Sequence, residues 1–427
     1  MDLQSQNKII SIAKEIKMPV EKDEFDEWGA HAETKERLRC KKDSGIPIKS
    51  LGNTTTLLRS DPRYASLCMN ELSYRYMIGG EFVEDFHIMK IREEMEVRYM
   101  LERPFSEVQQ AVMLVATERR FDPVKEYLNG LSWDGEARIS RIMEDVFHAD
   151  VTEFNQELLR KISRVWFASA AGRALFAGCK ADGCLVLVGD KGTRKSTALN
   201  VLGGKWFSDS YLDIGGKDGK ELIHQSGTWI WEIAEMYSLK GKSAENAKSF
   251  LTACSDDYRP SYARNIVNRK RRCIFSASTN DFQFLMDGTD RRFLPIQVTS
   301  TIDIGYLKTN RDQIWAEAVY LAKNKEPFYI GTEMVNGEWH DWEASLKRYQ
   351  QSFIVEDPWA MKILEELETN PPNTIQNGDL MDAIELKPYQ RTKQQTNRVS
   401  KVCTSLGYTK SKSRPRGWVK NRGNKNA

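Results

Sequence analysis

Apolar positions along this chain follow two periods, and the alternation between them predicts its central architecture. Short continuous apolar runs occur at Leu185–Val188, Trp229–Ile233, Cys273–Ser278 and Phe293–Val298. Runs of this length bounded by polar residues read as strands buried on both faces. A further strand is predicted at Tyr211–Ile214. Apolar residues at helical spacing mark 106–119, through Val108, Val112 and Val115, and 154–176, through Leu158, Leu159, Ile162, Val165, Trp166 and Ala170. Helices are also predicted at 243–252 and 310–323. Strands alternating with helices predict an α/β domain over 151–330, built on a largely parallel sheet flanked by helices.

The flanks read differently. Residues 1–49 are charged, with one short helix over Ile9–Ile16, and form an N-terminal extension. Residues 50–150 suggest a mixed, mainly helical domain in which Gly79-Gly80 follows the aromatic stretch Tyr74–Ile78 as a hairpin turn. Pro123 opens a helix that Asn129-Gly130 closes. Residues 331–357, with Trp339, His340 and Trp342, read as a linker. Helices at 359–368, 378–384 and 392–406, then an aromatic hairpin through Gly417-Trp418-Val419, predict a winged-helix-like domain over 358–427.

A chain of 427 residues has room for two or three domains. Its net charge of +3 means that a nucleic-acid surface must come from local clustering. Clusters exist: Pro388–Ala427 holds eleven Lys or Arg and no Asp or Glu. The seven cysteines contain no C-x-x-C pair and the five histidines are scattered, which argues against zinc and disulfides. No secretory leader is recognisable, and no run approaches the roughly 18 apolar residues of a membrane span. A cytoplasmic protein with no membrane association is expected.

Residues 184–199, CLVLVGDKGTRKSTAL, combine a strand, a glycine-containing turn and a helix start. Backbone N–H groups and a helix N-terminus at such a turn make a phosphate cradle. Gly189, Asp190, Lys191, Gly192, Thr193, Arg194, Lys195, Ser196 and Thr197 are therefore the candidate nucleotide-binding residues. Lys195 would reach the β- and γ-phosphates of ATP, and the Ser196 hydroxyl would bind Mg²⁺. The pattern G-x-x-x-x-G-K-[ST] departs at one position, where Arg194 stands for glycine.

Catalysis by such a loop needs a carboxylate at a neighbouring strand end. Glu232 and Glu235 end the strand Trp229–Ile233. Glu232 is assigned to the Mg²⁺ side and Glu235 to the general base, with their order left open. Asn280, after the strand Cys273–Thr279, would orient the attacking water. Arg291 and Arg292 are candidates for an arginine finger.

These blocks, from FDPVKEYLNGLSWDGEARI through GCKADGCLVLVGDKGTRKST, WIWEIAEM, DDYRPSYARN and CIFSASTN to GTDRRFLPI, resemble the virulence-associated protein E family of superfamily 3 helicase-like ATPases. The resemblance covers about residues 50–330 and is strongest over 121–298. It implies an AAA-like P-loop ATPase core, assembly into a homo-oligomeric ring, expected to be a hexamer, and a role in replicating phage or other mobile DNA inside a bacterial host. By that match Lys195 and Ser196 carry over as P-loop residues, Glu232 and Glu235 as Walker B residues, Asn280 as sensor, and Arg291 and Arg292 as finger candidates. Larger relatives carry an N-terminal primase domain, for which neither length nor metal ligands are seen in this sequence.

The resemblance also implies that the basic stretch 259–272 grips single-stranded DNA within the pore. Arg259, Tyr262, Arg264, Arg269, Lys270 and Arg271 are the contacts expected, with Arg272 beside them: guanidinium groups for phosphates and tyrosine for bases. The basic C-terminal domain is a candidate for duplex origin DNA. Three functions compete. The first is an ATP-driven DNA helicase or translocase. The second is a DNA-binding initiator or regulator that binds nucleotide and barely hydrolyses it, which Arg194 favours. The third, a small-molecule P-loop kinase, has no use for the basic segments.

Overall fold

The computed structural model describes residues 33–214, 217–234, 248–261, 265–285, 289–354, 357–370, 375–411 and 417–420. The helix predicted over Ile9–Ile16 lies outside them. The chain divides into two compact units, one of Met1–Phe282 with Thr289–Gln351 and one of Gln283–Gly288 with Ser352–Ala427.

The first unit opens with a small α/β lobe. Helices α1 (Leu51–Ser60), α2 (Asp85–Tyr99) and α3 (Phe105–Glu118) accompany strands β1 (Cys68–Asn70), β2 (Arg75–Ile78), β3 (Glu81–Phe82) and β4 (Arg120–Phe121), in the order β3-β2-β1-β4. The β2–β3 turn falls at Gly79-Gly80, whose φ values of 59° and 86° are the left-handed geometry a tight hairpin needs. Val108, Val112 and Val115 bury the inner face of α3 against Leu57, Leu58 and Tyr99.

Beyond α4 (Pro123–Asn129), capped by the Asp122 carboxylate, and α5 (Ile142–Asp145), the long α6 (Gln156–Leu175) runs into the main core. That core surrounds a five-stranded sheet of β5 (Cys184–Val188), β6 (Phe207–Ser208), β7 (Ile230–Ala234), β10 (Ile274–Thr279) and β11 (Phe293–Gln297), in the order β11-β5-β10-β7-β6. Every pairing within it is parallel. All five residues of β5 are buried, so covering on both faces explains the unbroken apolar runs. Helices α7 (Lys195–Gly203), α8 (Lys217–Gln225) and α9 (Ile304–Lys323) and the antiparallel pair β8 (Ser255–Tyr258) and β9 (Val267–Lys270) complete this part. Trp229 and Trp315 lie 4.3 Å apart in the core and donate their indole N–H groups to Ala170 O and Leu202 O, which removes the cost of burying them.

Two expectations are corrected. Tyr211–Ile214 is not a strand: Tyr211 is 80% exposed and Asp213 is exposed, so only Leu212 enters the core, and the edge strand is β6 just before it. Residues 331–357 are not a plain linker. They fold into the hairpin β12 (Thr332–Val335) and β13 (Glu338–Asp341) and helix α10 (Trp342–Gln350), which buries Trp342, Leu346 and Gln350 along one face and is capped by Asp341. Of the helix predicted at 243–252, residues 248–252 are described and helical.

The second unit holds α11 (Ala360–Thr369), α12 (Asn377–Ala383), α13 (Lys393–Ser405) and the antiparallel hairpin β14 (Tyr408–Lys410) and β15 (Trp418–Lys420) around Ile363, Leu380, Val399, Val402 and Trp418. Among the described residues, no helix is long and apolar enough to cross a membrane.

Candidate functional site

The loop between β5 and α7 is held against the ends of β10 and β11. Gly189 is there because a Cβ would come within 2.4 Å of Val298 O, and its N–H donates to Thr279 O at 3.2 Å. Gly192 has φ +93°. Thr193 is buried, and its hydroxyl donates to Asp190 O at 2.9 Å. Arg194 caps α7 in a left-handed conformation, φ +65° and ψ 30°, so the position where the motif calls for glycine has the backbone geometry that glycine accepts without strain. Its side chain is exposed, as are Asp190, Lys191, Gly192, Ser196 and Thr197 around it.

Lys195 is 7% exposed. Its ammonium donates to Gly189 O at 2.7 Å, Asp190 O at 2.8 Å, Thr193 Oγ1 at 3.2 Å and Asn280 Oδ1 at 3.1 Å. Burial lowers its pKa, against the opposing pull of Asp190 and Glu232. The cation thus rests on carbonyl oxygens that a phosphate would replace with full negative charge, a stronger partner for it.

β10 lies between β5 and β7 and brings the acidic strand within reach of the loop. Glu232, opposite Ser276 in the β7–β10 register, is 2% exposed. Its Oε1 accepts from Ser196 Oγ at 2.6 Å and from Ser278 Oγ at 2.5 Å. Its Oε2 is buried and makes no hydrogen bond among the described residues. A buried carboxylate oxygen left unpaired is costly, and a cation would compensate it. One hydroxyl and one carboxylate fit Mg²⁺, which binds through few protein oxygens and completes its shell with phosphate oxygens and water. Among the described residues, no group of three His, Cys, Asp or Glu could hold a metal by itself. Ser278 was not a sequence candidate; its place depends on the strand order, which the sequence does not spell out. Glu235 lies outside the described residues.

Arg291 and Arg292 sit elsewhere. Cys184 N donates to Arg292 O at 2.6 Å, so the pair lies beside the start of β5, roughly 16 Å of strand away from the loop at about 3.3 Å per residue. Arg291 pairs with Asp182 at 3.3 Å and Arg292 with Asp290 at 2.9 Å. Within one chain they do not share the pocket of Lys195, and a finger role would require a neighbouring copy.

The basic segment folds as the β8–β9 hairpin, and its charges divide into two groups. Arg271 is corrected: it cannot contact DNA. It is fully buried, donates to both Asp256 oxygens at 2.6 and 2.7 Å and to Phe250 O, and lies over the Phe250 ring. His224 Nε2 meets the same carboxylate at 3.1 Å. Arg272 is also internal, paired with Asp122 at 2.6 Å and Glu71 at 3.0 Å. The Arg269 guanidinium stacks 4.0 Å from the Tyr74 ring. Arg259 and Lys270 are exposed. Tyr262 and Arg264 lie outside the described residues.

No curated protein matches this chain. Among solved structures, the apo structure of the NrS-1 C-terminal region is similar at 13% identity and a TM-score of 0.36, over 78% of this chain and 83% of that one. A further form, the A form apo structure of the same region, gives 12% identity and a TM-score of 0.34, over 81% of this chain and 84% of that one. The virulence-associated protein E-like domain matches residues 128–351. That span includes the whole parallel sheet, the Lys195–Ser196–Glu232 cluster and the basic hairpin, and by it the chain belongs to the virulence-associated protein E-like family.

Proposed function

We propose that this chain is an ATP-dependent DNA helicase or translocase of superfamily 3 type, acting in the replication of a phage or other mobile element inside a bacterial host. The observation that carries the reading is the convergence of Lys195, Ser196, Glu232 and Asn280 at the C-terminal ends of β5, β7 and β10. In this reading the core is AAA-like, Lys195 binds the β- and γ-phosphates, and Ser196 with Glu232 holds Mg²⁺. Mg²⁺ would neutralise phosphate charge; Asn280 would orient the attacking water and Glu235 would take its proton. Single-stranded DNA follows the β8–β9 hairpin, the basic C-terminal unit binds duplex DNA, and copies of the chain assemble into a ring, a hexamer by analogy with the family. Arg291 and Arg292 could then act across a subunit boundary.

The test is phosphate release from ATP and Mg²⁺ by the full chain, with and without single-stranded DNA, together with strand displacement on a forked duplex. DNA-stimulated release with displacement supports the proposal. Nucleotide binding without turnover supports instead a DNA-binding initiator or regulator, the reading favoured by arginine at 194 where the motif has glycine.

A further inference from the structure

The second unit carries eleven basic residues and no acidic one from Pro388 to Ala427, yet its described cations have unequal surroundings. Arg398 donates to both oxygens of Asp357, at 2.8 and 2.9 Å, and lies 3.7 Å over the Trp359 ring. Arg391 is paired with Asp382. These two hold α13 to its own unit. The inner face of α13 is apolar, with Val399, Val402 and Cys403 buried. On its outer side Gln394, Asn397 and Lys401 are exposed at spacings of three and four residues, which puts them on one face of the helix.

We propose that α13 enters the major groove of duplex DNA, with Gln394 and Asn397 reading base edges. The inference rests on the reading of the C-terminal unit as a duplex-binding element and names the surface and the chemistry it recognises. Side-chain amides carry a donor and an acceptor together, which is what the N6 and N7 atoms of adenine require. Thirteen residues make a helix of about 20 Å, long enough to lie along a groove about 12 Å wide. The first turn of α13 has no acidic residue, although one there would stabilise the helix N-terminus. That choice costs helix stability in isolation and suits a polyanion.

The hairpin is fixed relative to this face. Asn377 donates to Ser400 Oγ on α13 at 3.0 Å and accepts from Trp418 Nε1 at 2.9 Å. Lys410 and Lys420, exposed on β14 and β15, are thereby held beside the helix as backbone contacts, Lys420 exchanging its exposed 3.5 Å pairing with Glu368 for a phosphate. Phosphate contacts give affinity and register, whereas base edges give sequence.

The experiment uses the full chain with a random-sequence duplex pool, followed by titration of the enriched duplex and a scrambled one at several salt concentrations. Enrichment of a sequence motif is expected. The double variant Q394A/N397A should lose tenfold or more of its affinity for the enriched duplex, scaled to about one bidentate contact, and keep its affinity for the scrambled one. K410A/K420A should weaken both duplexes alike and lower the slope of log affinity against log salt by about 1.8. No enrichment, or wild-type selectivity in Q394A/N397A, overturns the proposal. DNA-stimulated ATP hydrolysis is measured on the same samples. Its absence with duplex selectivity intact would count against the helicase reading alone, and its presence without selectivity against α13 alone.

Discussion

Ser196 Oγ donates to Glu232 Oε1 at 2.6 Å, joining the first turn of α7 to the acidic strand two strands away in the sheet. The bond uses one carboxylate oxygen and leaves Oε2 buried without a hydrogen bond among the described residues. Glu232→Gln keeps the shape and removes the charge. ATP binding should persist and Mg²⁺-dependent phosphate release should fall at least 100-fold, about 2.7 kcal/mol of barrier. Ser278→Ala removes one of the two hydroxyls on Oε1 and should cost less, about 1 kcal/mol. Equal losses in the two variants would make Ser278 more than a positioning residue.

Lys195→Ala should abolish turnover while leaving the fold intact. The ammonium bonds chiefly to neutral loop carbonyls, Gly189 O and Asp190 O, and to no carboxylate, so its removal leaves no partner charge without its hydrogen bond. Phosphate release and thermal melting of the same sample check both halves. Parental hydrolysis would move the phosphate cradle elsewhere.

The strands that build the site were legible because a sheet covered on both faces writes itself as unbroken apolar runs, and Glu232 stood out between Trp231 and Ile233. Other features depend on partners remote in sequence. Ser278 reaches Glu232 only because β10 separates β5 from β7. Lys270 and Arg271 look alike as letters, but only Arg271 meets the buried carboxylate of Asp256 on β8, which His224 of α8 also holds. Helix α10 is only nine residues long and turns Trp342, Leu346 and Tyr349 inward, a run too short to stand out from its polar neighbours in the sequence. Tyr211–Ile214 had strand-forming residues, but Tyr211 and Asp213 face solvent.

Asp256 and Arg271 form a buried ion pair whose loss should be felt as stability. Burial alone would raise the Asp256 carboxyl. The Arg271 and His224 hydrogen bonds outweigh it and hold the group well below the usual carboxylate range. A lowered folded-state pKa means that this contribution is complete above the unfolded value, about pH 4, and is lost as the pH falls below it. Asp256→Asn leaves the Arg271 charge uncompensated and should cost roughly 3–5 kcal/mol at neutral pH. Urea unfolding should reveal that deficit, and it should narrow below pH 4. A constant deficit down to pH 2 would assign the loss to packing.

The exposed cations of the basic hairpin should act mainly on binding. Arg259→Ala with Lys270→Ala should cost far less stability than Asp256→Asn and weaken single-stranded DNA binding. The slope of log affinity against log salt should fall by about 1.4, since two fewer phosphates are neutralised. An unchanged slope would remove the hairpin from the DNA path.

Arg194 decides between the two readings of the protein. At φ +65° a residue with a Cβ is strained by roughly 1–2 kcal/mol, and glycine is not. Glycine gives back about 0.4–1 kcal/mol through the greater freedom of its unfolded chain. Arg194→Gly should therefore change stability by a gain between about 0 and 1.6 kcal/mol in denaturant unfolding. The effect on rate is the sharper measurement. The arginine side chain is exposed at the mouth of the loop, where a long cation can pair with the γ-phosphate in the ground state, and such binding slows turnover without helping the transition state. Removing it should raise kcat in a DNA-stimulated assay while Lys195 and Ser196 still hold the nucleotide. A rate that stays level would make Arg194 neutral, and a fall would make it a catalytic cation. Either result would take from the regulatory reading the residue on which it chiefly depends.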